Sequence, residues 1–146
     1  MKTFTIGFTQ KSAKHFFSVI KNNDVSRIID VRLNTSSQLA GFAKKTDLGY
    51  FLKELCDADY IHMPDLTPTK PMLDSYKNKT ITWDNYADKF TNLMAQRHIE
   101  RTINKNILDN GCLLCSEHEP HQCHRRLVVE YLNKNWDSTI EVVHLL

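Results

Sequence analysis

The sequence predicts an α/β protein: a single three-layer domain with a mostly parallel sheet of about five strands and helices on both faces. Three observations predict it. Short β-branched or apolar runs alternate along the chain with stretches of helical periodicity. The length of 146 residues fits one domain of the usual ~100–150 residues. No repeat, low-complexity segment or linker interrupts it. At this length roughly two-thirds of the unfolded surface can be buried, so the core needs no disulfide or metal.

TFTIG (3–7) reads as the first strand. Ser12 then caps a helix through Asn23, with Phe16, Phe17, Val19 and Ile20 at helical spacing. RIIDVR (27–32) is brief and β-branched, a second and mostly buried strand. Residues 33–45 have no period and carry a polar cluster, as a loop does. Thr46 or Asp47 opens a helix with the stripe Leu48, Phe51, Leu52, Leu55, and Cys56 is expected to be a buried core thiol. YIHM (60–63) is the third strand, and Pro64 and Pro68 bracket an irregular stretch. Leu73 and Tyr76 indicate a short helix. Thr82 caps a long one marked by Trp83, Tyr86, Phe90, Leu93 and Met94. Helical spacing resumes at Ile99, Ile103 and Ile107 and stops at Asn110-Gly111. CLLCSE (112–117) is the fourth strand, Pro120 leads to a helix bearing Leu127, Val128, Tyr131 and Leu132, and TIEVVHLL (139–146) is the fifth.

Composition narrows the function classes. Apolar residues make up 41% and charged residues 25% of the chain, ordinary globular usage. A net charge of +2 is too small for a nucleic-acid sheath, so any basic site is local. MKTFTIGFTQ reaches polar residues too soon for a signal peptide, and no run approaches the ~18 apolar residues of a membrane span. The expected compartment is the cytoplasm, where the four cysteines stay free thiols. No membrane contact is expected, no cofactor is assigned, and nothing in the chain speaks to oligomeric state.

In a parallel α/β sheet, ligands collect beyond the carboxyl ends of the strands. The first strand delivers Thr9, Gln10 and Lys11 there. The second delivers Asp30, Arg32 and the polar loop with Ser36, the third His62 and Asp65. The fourth delivers Cys115 and Glu117, followed by the loop to Cys123, His124 and Arg125. This convergence is the main argument for a site.

CLLCSEHEPHQCHRR (112–126) admits three chemistries. Cys112 and Cys115 have CxxC spacing, but strand residues three apart point to opposite faces, which argues against structural zinc. A looser metal site using Cys115, Cys123 and nearby histidines stays open. As a nucleophile, Cys123 near a helix start would be stabilised as thiolate by the dipole, with His124, Arg125 and Arg126 adding positive potential. The tyrosine-phosphatase loop is excluded, because the position six after Cys115 is His121 and six after Cys123 is Val129. As an anion pocket, the same helix start with Arg125 and Arg32 suits a phosphate or carboxylate, and Glu117 acts as acid or base. Against these stand two packed thiols and an Asp30–Arg32–Glu117–Arg125 ion-pair network that only ties strands together. His98, His144, His118 and His121 lack evident partners. Lys44, Lys45, Lys70, Lys77 and Lys79, with Tyr76 and Trp83, read either as a nucleic-acid rim or as scattered surface lysines.

The pieces TIGFTQKS, IIDVR with a serine-containing loop, YIHMPDL and LLCSEHEPHQCHRRL, in this order, resemble the domain of unknown function 488 family. That family carries an early TIG element, a DVR strand end and a closing C-x-E followed by CHR. The resemblance spans essentially the whole chain. It implies a compact cytoplasmic α/β domain and marks Gly7, Asp30, Arg32, Ser36 or Ser37, Cys115, Glu117, Cys123, His124 and Arg125. Cys112 stands where the family has an apolar residue, Thr9 where it often has His or Ser, and LTPTK (66–70) replaces a glycine-rich segment. The resemblance implies no settled reaction.

The expected function is an enzyme with a phosphate-accepting pocket at the strand ends, acting on a nucleotide or nucleic acid. Glu117, Cys115 and Cys123 are the candidate catalytic residues. Arg32, Arg125, His124, Asp30, Ser36 and Thr9 are the candidate substrate contacts. The alternatives are a non-catalytic nucleotide or nucleic-acid binding module and a metal-dependent hydrolase.

Overall fold

The computed structural model describes residues 1–35, 41–117, 120–137 and 139–146. In chain order these form β1 (Lys2–Gly7), α1 (Ala13–Asn22), β2 (Arg27–Asp30), α2 (Lys45–Cys56), β3 (Asp59–His62) and α3 (Lys70–Lys77). There follow α4 (Trp83–Gln96), α5 (Ile99–Thr102), α6 (Lys105–Leu108), β4 (Gly111–Cys115), α7 (His124–Asn135) and β5 (Glu141–His144). The sheet has five strands in the order β3-β2-β4-β1-β5, and every neighbouring pair is parallel. The α/β architecture expected from the alternating pattern is the one observed.

Strand alternation splits the core into two layers. Phe4, Ile6, Ile28, Cys112 and Leu114 face α1 and α2, meeting Phe16, Phe17, Ile20, Leu48 and Leu52. Ile29, Val31, Leu113 and Cys115 face the other way, onto Tyr86, Phe90 and Met94 of α4 and Leu127, Val128 and Leu132 of α7. Cys112 and Cys115 therefore lie on opposite faces, as their spacing in a strand requires.

Local chemistry explains where the elements begin. The hydroxyl of Ser12 accepts from the His15 amide at 3.1 Å, and that of Thr82 from the Asn85 amide at 3.2 Å. Thr69 caps α3 in the same way through the Met72 amide. Several boundaries differ from expectation. Helix α2 starts at Lys45, with Lys44 at its cap and no side-chain cap bond, while Asp47 sits in the first turn. Leu55, expected in the buried stripe, is 49% exposed. Cys56 is only half-buried, its thiol donating to the Phe17 carbonyl at 3.4 Å. The isoleucine run after α4 breaks into two short helices, because Ile103 is extended and the Asn104 side chain caps the second. The polar loop contains a 3₁₀ turn at Gly41–Ala43, whereas Ser36 and Ser37 lie outside the described residues. Among the described residues no helix is long and apolar enough to cross a membrane.

The topology dictates where a cleft can open. β4 lies between β1 and β2. The helices following β1 and β2 cover one face, whereas α7, following β4, covers the other. Neighbouring strands whose connections leave to opposite faces part at their carboxyl ends, and the gap is there. The ladder runs slightly past the strands. Phe8 N donates to Cys115 O at 3.2 Å, Thr9 N to Ser116 O at 3.1 Å and Val31 N to Leu114 O at 3.1 Å, carrying Thr9 and Arg32 up to the cleft.

Candidate functional site

The cleft is a pocket of 510 Å³ at the carboxyl end of β4. Its floor is Cys115, Cys123 and His124, one side carries Thr9 and Arg32, and the opposite wall is Tyr76, Trp83 and Tyr86, with Lys70, Lys77 and Glu117 also in the lining. The second-strand arginine and the late thiol-rich turn thus border one hollow. Cys115 reaches the floor as the last residue of β4. Cys123 reaches it as the N-cap of α7, with a side chain that makes no cap bond, and His124 is the first helical residue.

His124 is fixed from both sides. Its Nε2 lies 2.6 Å from the Val31 carbonyl and so carries the proton that the carbonyl accepts. Its Nδ1 lies 3.6 Å from the Cys115 sulfur, and Phe90 meets the ring edge-on at 5.5 Å. The Cys115 thiol is pulled well below the usual range by a hydrogen bond from the Cys123 thiol and by His124, which together outweigh burial. Cys123 is pushed up by burial and by the neighbouring Cys115. His124 is raised, the Cys115 sulfur and the Val31 carbonyl outweighing desolvation. The directions agree in favouring the thiolate form of Cys115 and the protonated form of His124, with Cys123 as the hydrogen-bond donor. In reduced, chelator-treated protein at neutral pH, iodoacetamide should therefore alkylate Cys115 before Cys112, whose thiol burial pushes far up. Peptide mass spectrometry at early times checks the order. Modification of Cys112 ahead of Cys115 would contradict the thiolate assignment.

Arg32 is 2% exposed and bound to a fully buried Asp30. Nε donates to Oδ1 at 2.9 Å and Nη2 to Oδ2 at 2.8 Å. Tyr60 donates to the same carboxylate at 2.5 Å, and the guanidinium carbon stands 5.3 Å from the Phe8 ring centroid. Arg32 Nη1 has no hydrogen-bond partner among the described residues, an uncommon condition for a buried donor.

The other expected site residues divide. Thr9, Arg32, Cys115, Glu117, Cys123 and His124 all line the pocket. Asp30 stands behind Arg32 and does not line it. Arg125 is fully buried and also absent from the lining. Its Nε reaches Thr5 Oγ1 at 3.3 Å and its Nη1 donates to the Glu117 carbonyl. Arg125 thus braces the turn after β4 from behind. Of the expected four-residue ion network the Asp30–Arg32 pair is present, and Arg125 reaches Glu117 through its backbone carbonyl. Ser36 lies outside the described residues. His144, read as unpartnered, meets Thr5 Oγ1 at 2.6 Å.

The aromatic wall is not evident from the sequence. Tyr76 and Tyr86 lie 5.0 Å apart, Trp83 and Tyr86 5.5 Å, and the Arg126 guanidinium caps Trp83 at 5.7 Å. Trp83, Tyr86 and Phe90 have the spacing of a core stripe, and only Tyr76, from another helix, reveals a pocket wall. Of the lysines considered, Lys70 and Lys77 lie at this pocket, with Lys70 paired to Asp74 at 2.6 Å.

The sequence pattern of the family described as Domain of unknown function DUF488 matches residues 12–132. The chain belongs to this family. The matched segment contains Arg32, the aromatic wall and the whole thiol-rich turn, so the pocket is built almost entirely from the family's shared region. No curated protein and no solved structure matches the chain.

Proposed function

We propose that this pocket is the active site of an enzyme acting on a phosphate-bearing, ring-containing substrate, a nucleotide or a nucleotide splayed out from a nucleic acid. One observation carries the reading: an arginine with an unpartnered Nη1, a three-ring wall and a thiol–imidazole floor share one pocket. Arg32, held rigid by Asp30, offers a pre-oriented cation to a phosphoryl oxygen. Tyr76 and Trp83 offer faces for a base to stack on, and Lys70 and Lys77 add local positive charge without a basic shell. Cys115, Cys123 and His124 form the reacting floor. Glu117, exposed at the mouth, is the proton-transfer group. Arg125 acts as a positioning residue that holds the Glu117 backbone. The thiolate–imidazole floor favours catalysis over a purely binding role, since neither group is needed to hold a phosphate.

Calorimetric titration with nucleoside monophosphates, short oligonucleotides and inorganic phosphate tests this. Nucleoside monophosphates should bind more tightly than phosphate alone. Trp83→Ala should weaken them about tenfold or more, since stacking contributes ~1–3 kcal/mol per base. Arg32→Lys should weaken nucleotide and phosphate alike, and Lys77→Ala should flatten the salt dependence. Identical affinities for wild type, Trp83→Ala and Arg32→Lys would overturn the assignment. Glu117→Gln should keep binding and lose turnover. Ligand binding with no turnover by the wild-type chain would instead mark a recognition module.

A further inference from the structure

We propose that Cys115, Cys123 and His124 form a site for a thiophilic divalent metal ion, zinc(II) by preference, with its fourth coordination position open to the pocket. A metal held by the CxxC pair would need Cys112, which the sheet turns to the opposite face, as the strand spacing predicts. The three donors that the fold does bring together come from the last residue of β4 and the first turn of α7. One donor atom from each lies within 4.8 Å of the others.

The geometry is close to what such an ion needs. With metal–sulfur bonds of ~2.3 Å and metal–nitrogen bonds of ~2.0–2.1 Å, tetrahedral ligand atoms stand roughly 3.5–3.8 Å apart. Cys115 Sγ and His124 Nδ1 are already 3.6 Å apart, and with all three donors within 4.8 Å the others need to close in by about 1 Å at most. The histidine is also prepared for the task. Its Nε2 proton is committed to the Val31 carbonyl at 2.6 Å, which leaves Nδ1 aimed at the sulfur. A ligating imidazole held by a backbone carbonyl through its other nitrogen is the usual outer contact of a metal-bound histidine.

The donors decide the class of ion. Two thiolates and an imidazole, with no carboxylate among the three, suit zinc and other soft or borderline ions and discriminate against magnesium and calcium. All three donors line the same pocket. Three protein ligands with an open fourth position is the arrangement of catalytic rather than structural zinc. The neighbouring backbone is tied down as well: Arg125, next to His124, bonds to Thr5 and to the carbonyl of Glu117, two residues after Cys115. An ion there would stand on the floor of the pocket that Arg32 also lines, able to polarise a water or a substrate oxygen.

The test needs no substrate. Reduced protein is equilibrated with zinc(II), dialysed against metal-free buffer and assayed by elemental analysis, and a cobalt(II) sample is examined for thiolate-to-cobalt charge-transfer absorption. About one equivalent per chain and a cobalt–thiolate band are expected. Cys115→Ser and Cys123→Ser should each weaken binding by more than about tenfold, and Cys56→Ser, on the other side of the sheet, should not. If a serine variant fails to fold, wild-type protein decides: zinc should protect Cys115 and Cys123, but not Cys56, from alkylation. Retention of well under a tenth of an equivalent, unchanged affinity in both serine variants, or absence of that protection would overturn the site. Phosphate-ligand titrations on the metal-free chain separate this result from the reading of the pocket as a phosphate site. A chain that holds zinc yet ignores nucleotides sinks only the latter.

Discussion

Replacing Gly7 with alanine is expected to cost more than about 4 kcal/mol and to prevent the pocket from forming. Gly7 pairs with Cys115 in the β1–β4 ladder. A Cβ built there collides with the Glu117 carbonyl and lies 2.6 Å from Arg125 Nη1. The glycine is needed for space rather than for conformation, since no glycine in the chain has positive φ. Neither obstacle can step aside. The Glu117 carbonyl is backbone at the turn into the pocket, and the Arg125 side chain is buried. The β4–α7 turn must therefore move, taking Cys123 and His124 with it. Thermal unfolding should show a fall in Tm of more than about 10 °C. Gly49→Ala is the contrasting case. Gly49 lies within α2, and a Cβ there meets only the Tyr60 Cβ at 3.8 Å, so stability should rise by up to ~1 kcal/mol. A Gly7→Ala protein as stable as wild type would mean that the turn is not held where it is described.

The second large effect is expected at Asp30. Asp30→Ala leaves the Arg32 guanidinium, 2% exposed, without its carboxylate. It also strips acceptors from the Arg32 amide and from the Tyr60 hydroxyl. Removing one partner of a buried ion pair costs ~3–5 kcal/mol, chiefly because the other charge stays buried and uncompensated. Chemical denaturation should register a loss of that size, and Tyr60→Phe only ~1 kcal/mol. The double variant Asp30→Ala/Arg32→Leu should recover part of the loss, since it removes the stranded charge. Strict additivity of the two single changes would show that the pair does not act as a unit.

The fold was legible because its strands and helices differ in period. GCLLC is short and continuously apolar, as a strand buried on both faces must be, and RIID is short with a β-branched pair at its centre, while Phe16, Phe17 and Ile20 repeat at helical spacing. The convergence of Arg32 with Cys115, Cys123 and His124 followed from parallel topology alone. What stayed hidden depended on side-chain direction. Arg125 and Arg32 look equivalent as basic residues beyond strand ends, yet Arg125 is buried away from the pocket, in contact with Thr5 and the Glu117 backbone. Trp83 and Tyr86 resemble core residues because they are partly that: Tyr86 is 1% exposed and packs on Phe90 while still edging the cavity. Cys56 and Leu55 fall at the end of α2, where the amphipathic pattern outruns the surface available to cover it.

The strand order has a consequence for the birth of the protein. β1 and β2 share no ladder; within the sheet, residues 111–115 pair with both. During synthesis β1 and β2 therefore have no shared partner in the sheet until residues 111–115 emerge, although α1 and α2 can already pack together. Insertion of that late central segment knits the sheet, seals both interior layers and delivers the first floor cysteine in one event. Such long-range closure is slow compared with helix formation. Until then the strands expose unpaired edges, the condition in which an incomplete chain is most prone to aggregate.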